Sequence, residues 1–372
     1  MTQATDPSAA SQPGDALEPA WRIPPGRGRE LGIGIVGCGG IVAYGHLPAY
    51  RAAGLRVVAV TDVDPERART VARDFGVPQV TANAAELVAL DGVDIVDIAV
   101  PPWVQPEIVA LAAAAGRHVL CQKPFALEFD VARRMVDTAE AAGVLLAVNQ
   151  QMRWDAGIAA SRDLVARGAI GRPSAAQIEV SVSTGWHLWP WLASAPRLEI
   201  MYHSIHYLDA LRSVLGDPVW VTSVHGRYPE QAPVQGETRT TTLLEFADGL
   251  QALVAVNHYN LHGTPYGEFR FHGTEGALEG TLGLLYDYPD GRPDTLSLHR
   301  GGREVRSYTF DTRWIPDAFL GPMGDLMDAI PTGRQPVTSG RDNLGTLAVV
   351  MAAYRSAAER RSVRVDEILG GA

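Results

Sequence analysis

The sequence LGIGIVGCGGIV at residues 31–42 decides the fold of this chain. Its first half is an apolar run of strand length. Gly37, Gly39 and Gly40 follow directly, before a segment that can form a helix. This order is typical of a turn that binds a dinucleotide between a strand and a helix. Gly37 permits a tight turn, Gly39 lets a pyrophosphate approach the backbone, and the first amides of the helix face the phosphates.

The residues after this turn support the same interpretation. The third glycine position of the motif holds Val42, so the alternative is an ordinary glycine-rich turn. However, the next strand-like run, residues 55–61, ends in Asp62, where a carboxylate accepts hydrogen bonds from an adenosine ribose. An Asp at this place repels a 2′-phosphate, which favours NAD over NADP. The alternative role for Asp62 is a helix cap, which Asp64 fits better.

Composition limits the class of protein. The 372 residues suffice for two domains, and a hydrophobic content of 46% predicts a globular chain with a substantial core. The formal net charge of -10 argues against a nucleic-acid or anionic-membrane partner. Cys38 and Cys121 are the only cysteines, which predicts neither a disulfide framework nor a zinc site.

Residues 1–30 are expected to form a disordered leader. They are rich in Ala, Pro, Ser, Gly and Asp and contain neither the apolar region of a signal peptide nor a twin arginine. No apolar run approaches the roughly 18 residues of a membrane-spanning helix. We therefore expect a cytoplasmic protein.

Strand-like and helical segments alternate over residues 31–150. The further strands are expected at 93–100, 118–122 and 144–149, and the helices at 65–75, 84–90, 105–115 and 128–142. Such alternation predicts an α/β Rossmann domain with a doubly wound parallel sheet. Its ligand crevice lies at the carboxyl ends of the strands. The residues expected there are Gly37, Gly39, Gly40, Ile41, Asp62, Pro101, Pro102, Gln122, Lys123 and Asn149.

Beyond residue 150 the pattern changes to closely spaced strands followed by helices. The strands are expected at 175–183, 220–228, 239–246, 250–259, 269–273, 295–299 and 304–310, and the helices at 155–167, 197–215, 317–329 and 343–358. Asp248-Gly249 marks a hairpin turn. This pattern predicts an α+β domain over 151–372 with a large, mostly antiparallel open sheet that binds substrate and forms a homodimer or homotetramer.

Lys123 is the first candidate for chemistry. A lysine at the carboxyl end of a strand, beside a dinucleotide crevice, can polarise or deprotonate a substrate oxygen. Partial burial and a cationic nicotinamide both lower its pKa. The alternative is a surface lysine at a strand end, although Pro124 fixes the backbone there.

The second candidate is a helix at residues 202–209, YHSIHYLD. Tyr202, His206 and Asp209 share a face at helical spacing. His206 can take the hydroxyl proton while hydride leaves carbon, and Asp209 can orient its ring. A metal site is the alternative for this face, but the helix supplies no third clear ligand. For His203 the preferred interpretation is a buried, hydrogen-bonded histidine.

A third candidate is the aromatic cluster WHLWPW at residues 186–191. Indole rings stack on the C–H faces of sugars and exclude water, but they also pack subunit contacts, and both interpretations stay open. The substrate-binding candidates are Arg153, Trp154, Trp186, His187, His203, Asp209 and His258.

The chain resembles the glucose–fructose oxidoreductase and inositol dehydrogenase family (Gfo/Idh/MocA) from about residue 31 onward. The matching segments are VGCGGIVAYGHLPAY, VAVTDVDPERA, VDIVDIAVPP and GRHVLCQKPFA. The resemblance implies a Rossmann domain followed by an α/β domain with a large open sheet. It also implies a catalytic role for Lys123, because the family carries its catalytic lysine in Glu-Lys-Pro, and for His206, which matches the family's catalytic His.

Three residues depart from the family pattern. Gln122 replaces the Glu before the lysine, Tyr202 replaces an Asp four residues before the catalytic His, and Gln105 replaces a His after the proline pair. These changes remove two carboxylates and one imidazole from the usual site.

Together these features predict an NAD-dependent dehydrogenase acting on a hydroxyl of a sugar or cyclitol. The first alternative is an enzyme that cleaves or epimerises glycosides by transient oxidation, with no net redox change. The second alternative is a non-catalytic NAD-binding sensor.

Overall fold

The computed structural model describes residues 17–23, 28–231 and 234–370. Two sheets dominate it, a parallel one of six strands and a mixed one of nine. Among the described residues, no helix is both long and apolar enough to cross a bilayer.

The first sheet has the strand order β3-β2-β1-β4-β5-β6, and every neighbouring pair is parallel. Its strands are β1 (Gly32–Val36), β2 (Arg56–Thr61), β3 (Gln79–Val80), β4 (Ile95–Ile98), β5 (His118–Gln122) and β6 (Leu146–Asn149). Its helices are α1 (Leu47–Ala53), α2 (Pro65–Phe75), α3 (Ala84–Ala89), α4 (Gln105–Ala114) and α5 (Phe129–Ala141). The order reverses at β1, so the doubly wound prediction is confirmed, and the ligand crevice is expected at the carboxyl ends of the neighbouring strands β1 and β4.

The second sheet has the order β14-β13-β12-β11-β7-β10-β9-β8-β15. Its strands are β7 (Pro173–Ser181), β8 (Trp220–Gly226), β9 (Arg239–Glu245), β10 (Gln251–Asn257), β11 (Tyr266–Gly273), β12 (Ala277–Thr281), β13 (Thr295–Arg300), β14 (Arg303–Thr309) and β15 (Val363–Arg364). Only β7 and β10 pair in parallel among these strands, so the prediction of a mostly antiparallel sheet is confirmed. Gly249 turns the hairpin between β9 and β10 with a φ of 87°.

The helices of the second half cover one face of this sheet and reach back to the first. They are α6 (Ala156–Ala166), α7 (Pro190–Ala193), α8 (Ile205–Leu215), α9 (Leu320–Thr332), α10 (Gly340–Glu359) and α11 (Asp366–Leu369). Met323, Leu326 and Met327 of α9 are buried in the same core as Ile33 and Ile35 of β1. Helix α9 therefore packs on the first sheet, although it lies in the second half of the chain.

Part of the expected disordered leader is ordered. Ala20 donates its amide to Asp163 at 2.9 Å, and the ring of Trp21 packs edge-on against Phe310 at 5.0 Å. The composition of residues 17–23 hid these anchors, because only Leu17, Trp21 and Ile23 are large and apolar there. Residues 1–16 and 24–27 lie outside the described part of the chain.

Candidate active site

The glycine turn after β1 leaves room for a phosphate group. Gly37 has a φ of 98°, and a Cβ on it would lie 2.4 Å from the carbonyl oxygen of Ala99. A Cβ on Gly39 would meet no atom within 4 Å among the described residues, so the space above this residue is open. The next helical segment starts with Ile41 and a π turn at Val42–His46. The turn therefore has the shape that a pyrophosphate requires.

Asp62 ends β2 beside this turn. Its carboxylate accepts the amide of Cys38 at 2.7 Å and that of Asp64 at 2.8 Å, and Arg67 approaches it at 3.4 Å. The cap of α2 is Asp64, which accepts the amides of Glu66 and Arg67. The assignment of the cap to Asp64 is confirmed, and Asp62 lies beside the glycine turn through its contact with Cys38.

Lys123 follows β5 directly and points toward the second domain. Its Nζ donates a hydrogen bond of 2.6 Å to the backbone carbonyl oxygen of Tyr202. Burial lowers the pKa of the Lys123 ammonium from its ordinary value to about 7. At neutral pH this amine therefore exists in both protonation states, as a general base requires.

Lys123 is also the only lysine among the 372 residues, and the other 31 basic residues are arginines. Arginine serves wherever a fixed positive charge suffices, but it cannot lose its proton in a protein. The one position that keeps a lysine is thus the one where a titratable amine is placed in the crevice. The lysine count alone therefore singles out Lys123 in the sequence.

A buried polar network lies behind Lys123. Nδ1 of His46 donates to Oδ2 of Asp97 at 2.7 Å, and the hydroxyl of Tyr50 donates to the same oxygen at 2.8 Å. Nε2 of His46 receives hydrogen bonds from the side-chain amides of Gln122 at 3.0 Å and Asn149 at 3.2 Å. Two amide donors on Nε2 require that the ring proton sits on Nδ1.

This network explains why residue 122 is a glutamine. His46 offers an acceptor to residue 122, so that side chain must donate, and a carboxylate cannot. Oε1 of Gln122 in turn accepts the amide of Lys123 at 2.7 Å. Gln105 donates its side-chain amide to the carbonyl oxygens of Gln122 and Pro124, at 2.9 and 3.0 Å. Two of the three departures from the family pattern therefore hold the backbone around Lys123.

The second domain brings its histidines to the same place. A π turn at Ile200–Ser204 precedes α8 and carries Tyr202 and His203, and His206 follows in the first turn of α8. π turns interrupt helices frequently at functional sites, and the other one in the described chain carries His46. Burial and the positive charge of Lys123 hold the pKa of His206 well below its usual range. The ring stays neutral, and its Nδ1 has no partner among the described residues.

His203 and His258 form a pair beside Lys123. Their ring centroids lie 4.7 Å apart, and Trp186 packs against both rings at 5.8 and 5.3 Å. Nδ1 of His258 shares a hydrogen bond of 2.7 Å with the hydroxyl of Thr184. Burial, His258 and Lys123 all lower the pKa of His203. Nδ1 of His203 and Nε2 of His258 find no protein partner in the described ranges, so both nitrogens can bind substrate hydroxyls.

Glu199 places a carboxylate near this pair. Its Oε1 lies 3.9 Å from Nε2 of His258, and its oxygens accept the hydroxyls of Ser204 at 2.7 Å and Thr240 at 2.5 Å. Sequence reasoning missed Glu199, Thr184, His46 and Asp97. The signals were present, because Asp97 interrupts an apolar strand and a buried strand rarely carries an unpaired carboxylate.

Three candidate residues lie outside the site. Arg153 donates two hydrogen bonds of 2.7 Å to Asp209 and one of 2.6 Å to Asp342. This buried ion pair corrects the expectation that Arg153 and Asp209 bind substrate or orient His206. Trp154 packs against Gly321 of α9, where a Cβ would lie 2.1 Å from its ring.

The remaining candidates divide between the crevice and the surface. Pro102 is buried and Pro101 exposed at the end of β4, and His187 is exposed on the loop before α7. Within the described residues, no group of three or more His, Cys, Asp or Glu side chains has the arrangement of a metal site.

Comparison with known proteins extends over most of the chain. Residues 31–150 match the model of an oxidoreductase family with an NAD-binding Rossmann fold, and residues 158–279 match the GFO/IDH/MocA C-terminal domain. The D-apiose dehydrogenase of Rhizobium rhizogenes is 32% identical over 91% of this chain and 99% of its own length. The inositol 2-dehydrogenase of Rhizobium meliloti is 27% identical over 90% of this chain and 98% of its own length.

A solved structure shares the whole architecture. It is an oxidoreductase from Agrobacterium radiobacter in complex with NAD+, L-tartaric acid and magnesium, with a TM-score of 0.79 and 29% identity. The alignment covers 91% of this chain and 99% of that one. The two-domain arrangement and its crevice are therefore shared by both proteins.

Proposed function

The chain belongs to the GFO/IDH/MocA family of oxidoreductases, and on that premise we propose how its own residues carry out the reaction. It is a dehydrogenase that moves hydride between nicotinamide and a hydroxyl-bearing carbon of a sugar or cyclitol, as its relatives are named. The observation that supports this assignment of roles is the hydrogen bond from Nζ of Lys123 to the backbone carbonyl oxygen of Tyr202.

The crevice fits NAD. The open space over Gly39 takes the pyrophosphate, and Asp62 accepts the ribose hydroxyls and repels a 2′-phosphate. The cofactor supplies, when bound, a hydride acceptor for the carbinol carbon. Ile41, Pro101, Pro102 and Gln122 border the same crevice at the carboxyl ends of β1, β4 and β5.

Lys123 takes the hydroxyl proton in this proposal. Its pKa of about 7 lies above that of His206, which burial and the nearby lysine hold below 6.5. A proton leaving the substrate oxygen is therefore more stable on Lys123 than on His206. His206 instead binds the same oxygen as a neutral hydrogen-bonding group, which exchanges the two roles expected from the sequence.

Tyr202 acts through its backbone in this arrangement. Its carbonyl oxygen fixes the Lys123 amine, while burial raises the pKa of its phenol. The phenol therefore keeps its proton, and Tyr202 replaces the family's Asp without supplying a charge. His203, His258 and Trp186 surround the other hydroxyls of the substrate.

Net hydride transfer is favoured over the two alternatives. The relatives are named as dehydrogenases, which supports neither transient oxidation nor a non-catalytic sensor. The titratable Lys123 further supports an enzyme over a sensor.

We infer that the chain forms a homodimer or homotetramer through the open face of the nine-stranded sheet. Leu243, Leu253, Ala255 and Tyr266 are only half-buried on alternating positions of β9, β10 and β11. Apolar residues on a sheet face are stabilised by a second layer. Light scattering should give a multiple of the chain mass for wild type and a smaller assembly for Leu253→Glu.

A substrate panel tests the proposed reaction. NADH formation is followed with NAD, and separately with NADP, against aldoses and cyclitols, and products are identified by chromatography. We expect NADH formation with NAD and one class of sugar, and roughly 100-fold less or lower with Lys123→Met. A glycoside that is cleaved without NADH formation would contradict net dehydrogenation.

A further inference from the structure

Two exposed tryptophans from different domains meet at the mouth of the crevice. Trp103 follows the proline pair after β4 and Trp191 lies in α7, and their ring centroids are 6.4 Å apart at an interplanar angle of 69°. The side chains are 60% and 48% exposed. Tryptophan is normally well buried, so an exposed pair at a crevice marks a binding surface.

This pair is continuous with the active site. The ring of Trp191 packs edge-on against Tyr202 at 5.6 Å, and the carbonyl of Tyr202 holds Lys123. Leu188, three residues before Trp191, is also exposed. The two rings meet edge-on rather than stacked, and the exposed fractions of both side chains leave part of each indole surface open to a ligand.

We propose that Trp103 and Trp191 form a second subsite, which binds the non-reacting ring of a glycoside substrate while Lys123 faces the ring that is oxidised. This inference rests on the proposed function. Trp191 contacts Tyr202 and Trp103 lies beyond Trp191, so the two indoles extend outward from the residue whose carbonyl holds Lys123. A sugar or aryl ring attached to the reacting sugar lies at the right place to stack on them.

Paired ligands test the subsite. Phenyl β-D-glucopyranoside and phenyl β-D-xylopyranoside are compared with D-glucose and D-xylose, as substrates and, with NADH present, as ligands in calorimetry. The wild-type protein should bind the glycoside more tightly than the free sugar. Trp191→Ala and Trp103→Ala should each weaken glycoside binding about tenfold and leave the free sugar nearly unaffected. Trp21→Ala is the matched control, because the ring of Trp21 packs on Phe310, away from these contacts.

The outcomes separate this inference from the proposed reaction. Equal losses for glycoside and free sugar, or a loss confined to NADH binding, would overturn the subsite, because the indoles then serve the common site or the cofactor. If the protein oxidises the free sugar and neither indole variant changes glycoside binding, the subsite is overturned while the proposed reaction stands. Glycoside binding that depends on both indoles, without NADH formation from any ligand, would support the subsite and contradict the proposed reaction.

Discussion

The side-chain amide of Gln122 donates a hydrogen bond to Nε2 of His46, 3.0 Å away. Asp97 accepts a hydrogen bond from Nδ1 of the His46 ring, so the ring proton lies on Nδ1 and not on Nε2. The carboxylate of this network therefore contacts His46 and is separated from Lys123 by that ring. The groups that do face Lys123, His203 and His206, are neutral because burial holds their pKa values well below the usual range. Because Gln122 carries no charge, burial is the cause that lowers the pKa of Lys123.

Gln122→Glu should raise the pKa of Lys123. A carboxylate next to the lysine favours the ammonium form, and a shift of about one unit corresponds to about 1.4 kcal/mol. Since the neutral amine is the active base, the acidic limb of the kcat/KM profile should move upward by about one pH unit. The measurement is the pH dependence of kcat/KM, with the exposed Gln335→Glu as the control. An acidic limb that stays in place would show that Lys123 is not the group titrating in it.

Lys123→Met should lower turnover by roughly 100-fold or more, because it removes the base but keeps the length of the side chain. Lys123→Arg should not restore activity, since a guanidinium stays protonated. Stopped-flow or steady-state kinetics give the turnover, and NADH fluorescence should show nearly unchanged cofactor affinity. Substantial turnover by Lys123→Arg would mean that only a positive charge is needed.

Asp62→Ala should weaken NADH binding about tenfold and reduce the preference over NADPH. The substitution removes the ribose acceptor and leaves the half-exposed Arg67, which lies 3.4 Å from both carboxylates, with Asp64 alone. Dissociation constants for both dinucleotides measure the effect. Asp64→Ala is the matched control, because it removes the same charge two residues away and should cost only about 1 kcal/mol of helix-cap stability. An unchanged ratio of the two constants in Asp62→Ala would refute the assignment.

The buried pair Asp155 and Asp294 should make stability depend on pH. Burial raises the pKa of Asp294 to about 6, and burial with the facing Asp294 raises that of Asp155 further. Between about pH 4 and pH 6 the folded chain keeps protons that the unfolded chain has lost. The unfolding free energy should therefore fall as pH rises through this window, by about 3 kcal/mol for Asp294.

Asp294→Asn should flatten this dependence, because an amide does not ionise. Urea unfolding at several pH values measures it, with Asp130→Asn as an exposed control. If the wild-type chain instead gains stability from pH 4 to pH 6 relative to Asp294→Asn, the pair is ionised in the folded state.

The first domain followed closely from the sequence because its signals are local. The helix Pro65–Phe75 and the strand His118–Gln122 were predicted with the bounds that the structure shows. β12 was missed, since its sequence ALEGT has weak strand propensity. Gly280 in β12 lies under the ring of Phe269, where a Cβ would be 2.1 Å from the ring. Tertiary packing, not propensity, selects this strand.

The site was predictable only in part. Lys123, His206 and Tyr202 are brought together as expected, because strand ends and helix faces can be inferred from spacing. The pairing of Arg153 with Asp209 was not predictable, since 56 residues separate them and many arginines compete for each carboxylate. The roles of Lys123 and His206 also depend on burial, which spacing does not give.

The solitary lysine gives this protein an unusual chemical handle. Its side chain holds the only ε-amine in the 372-residue sequence, and Pro124 follows it. An amine-directed acylating reagent therefore has one side-chain target, which lies in the crevice, so incorporation of label titrates accessible active sites directly. The same isolation removes the cleavage sites of lysine-specific proteases, because a Lys-Pro bond resists them, and the chain should pass through such digestion intact.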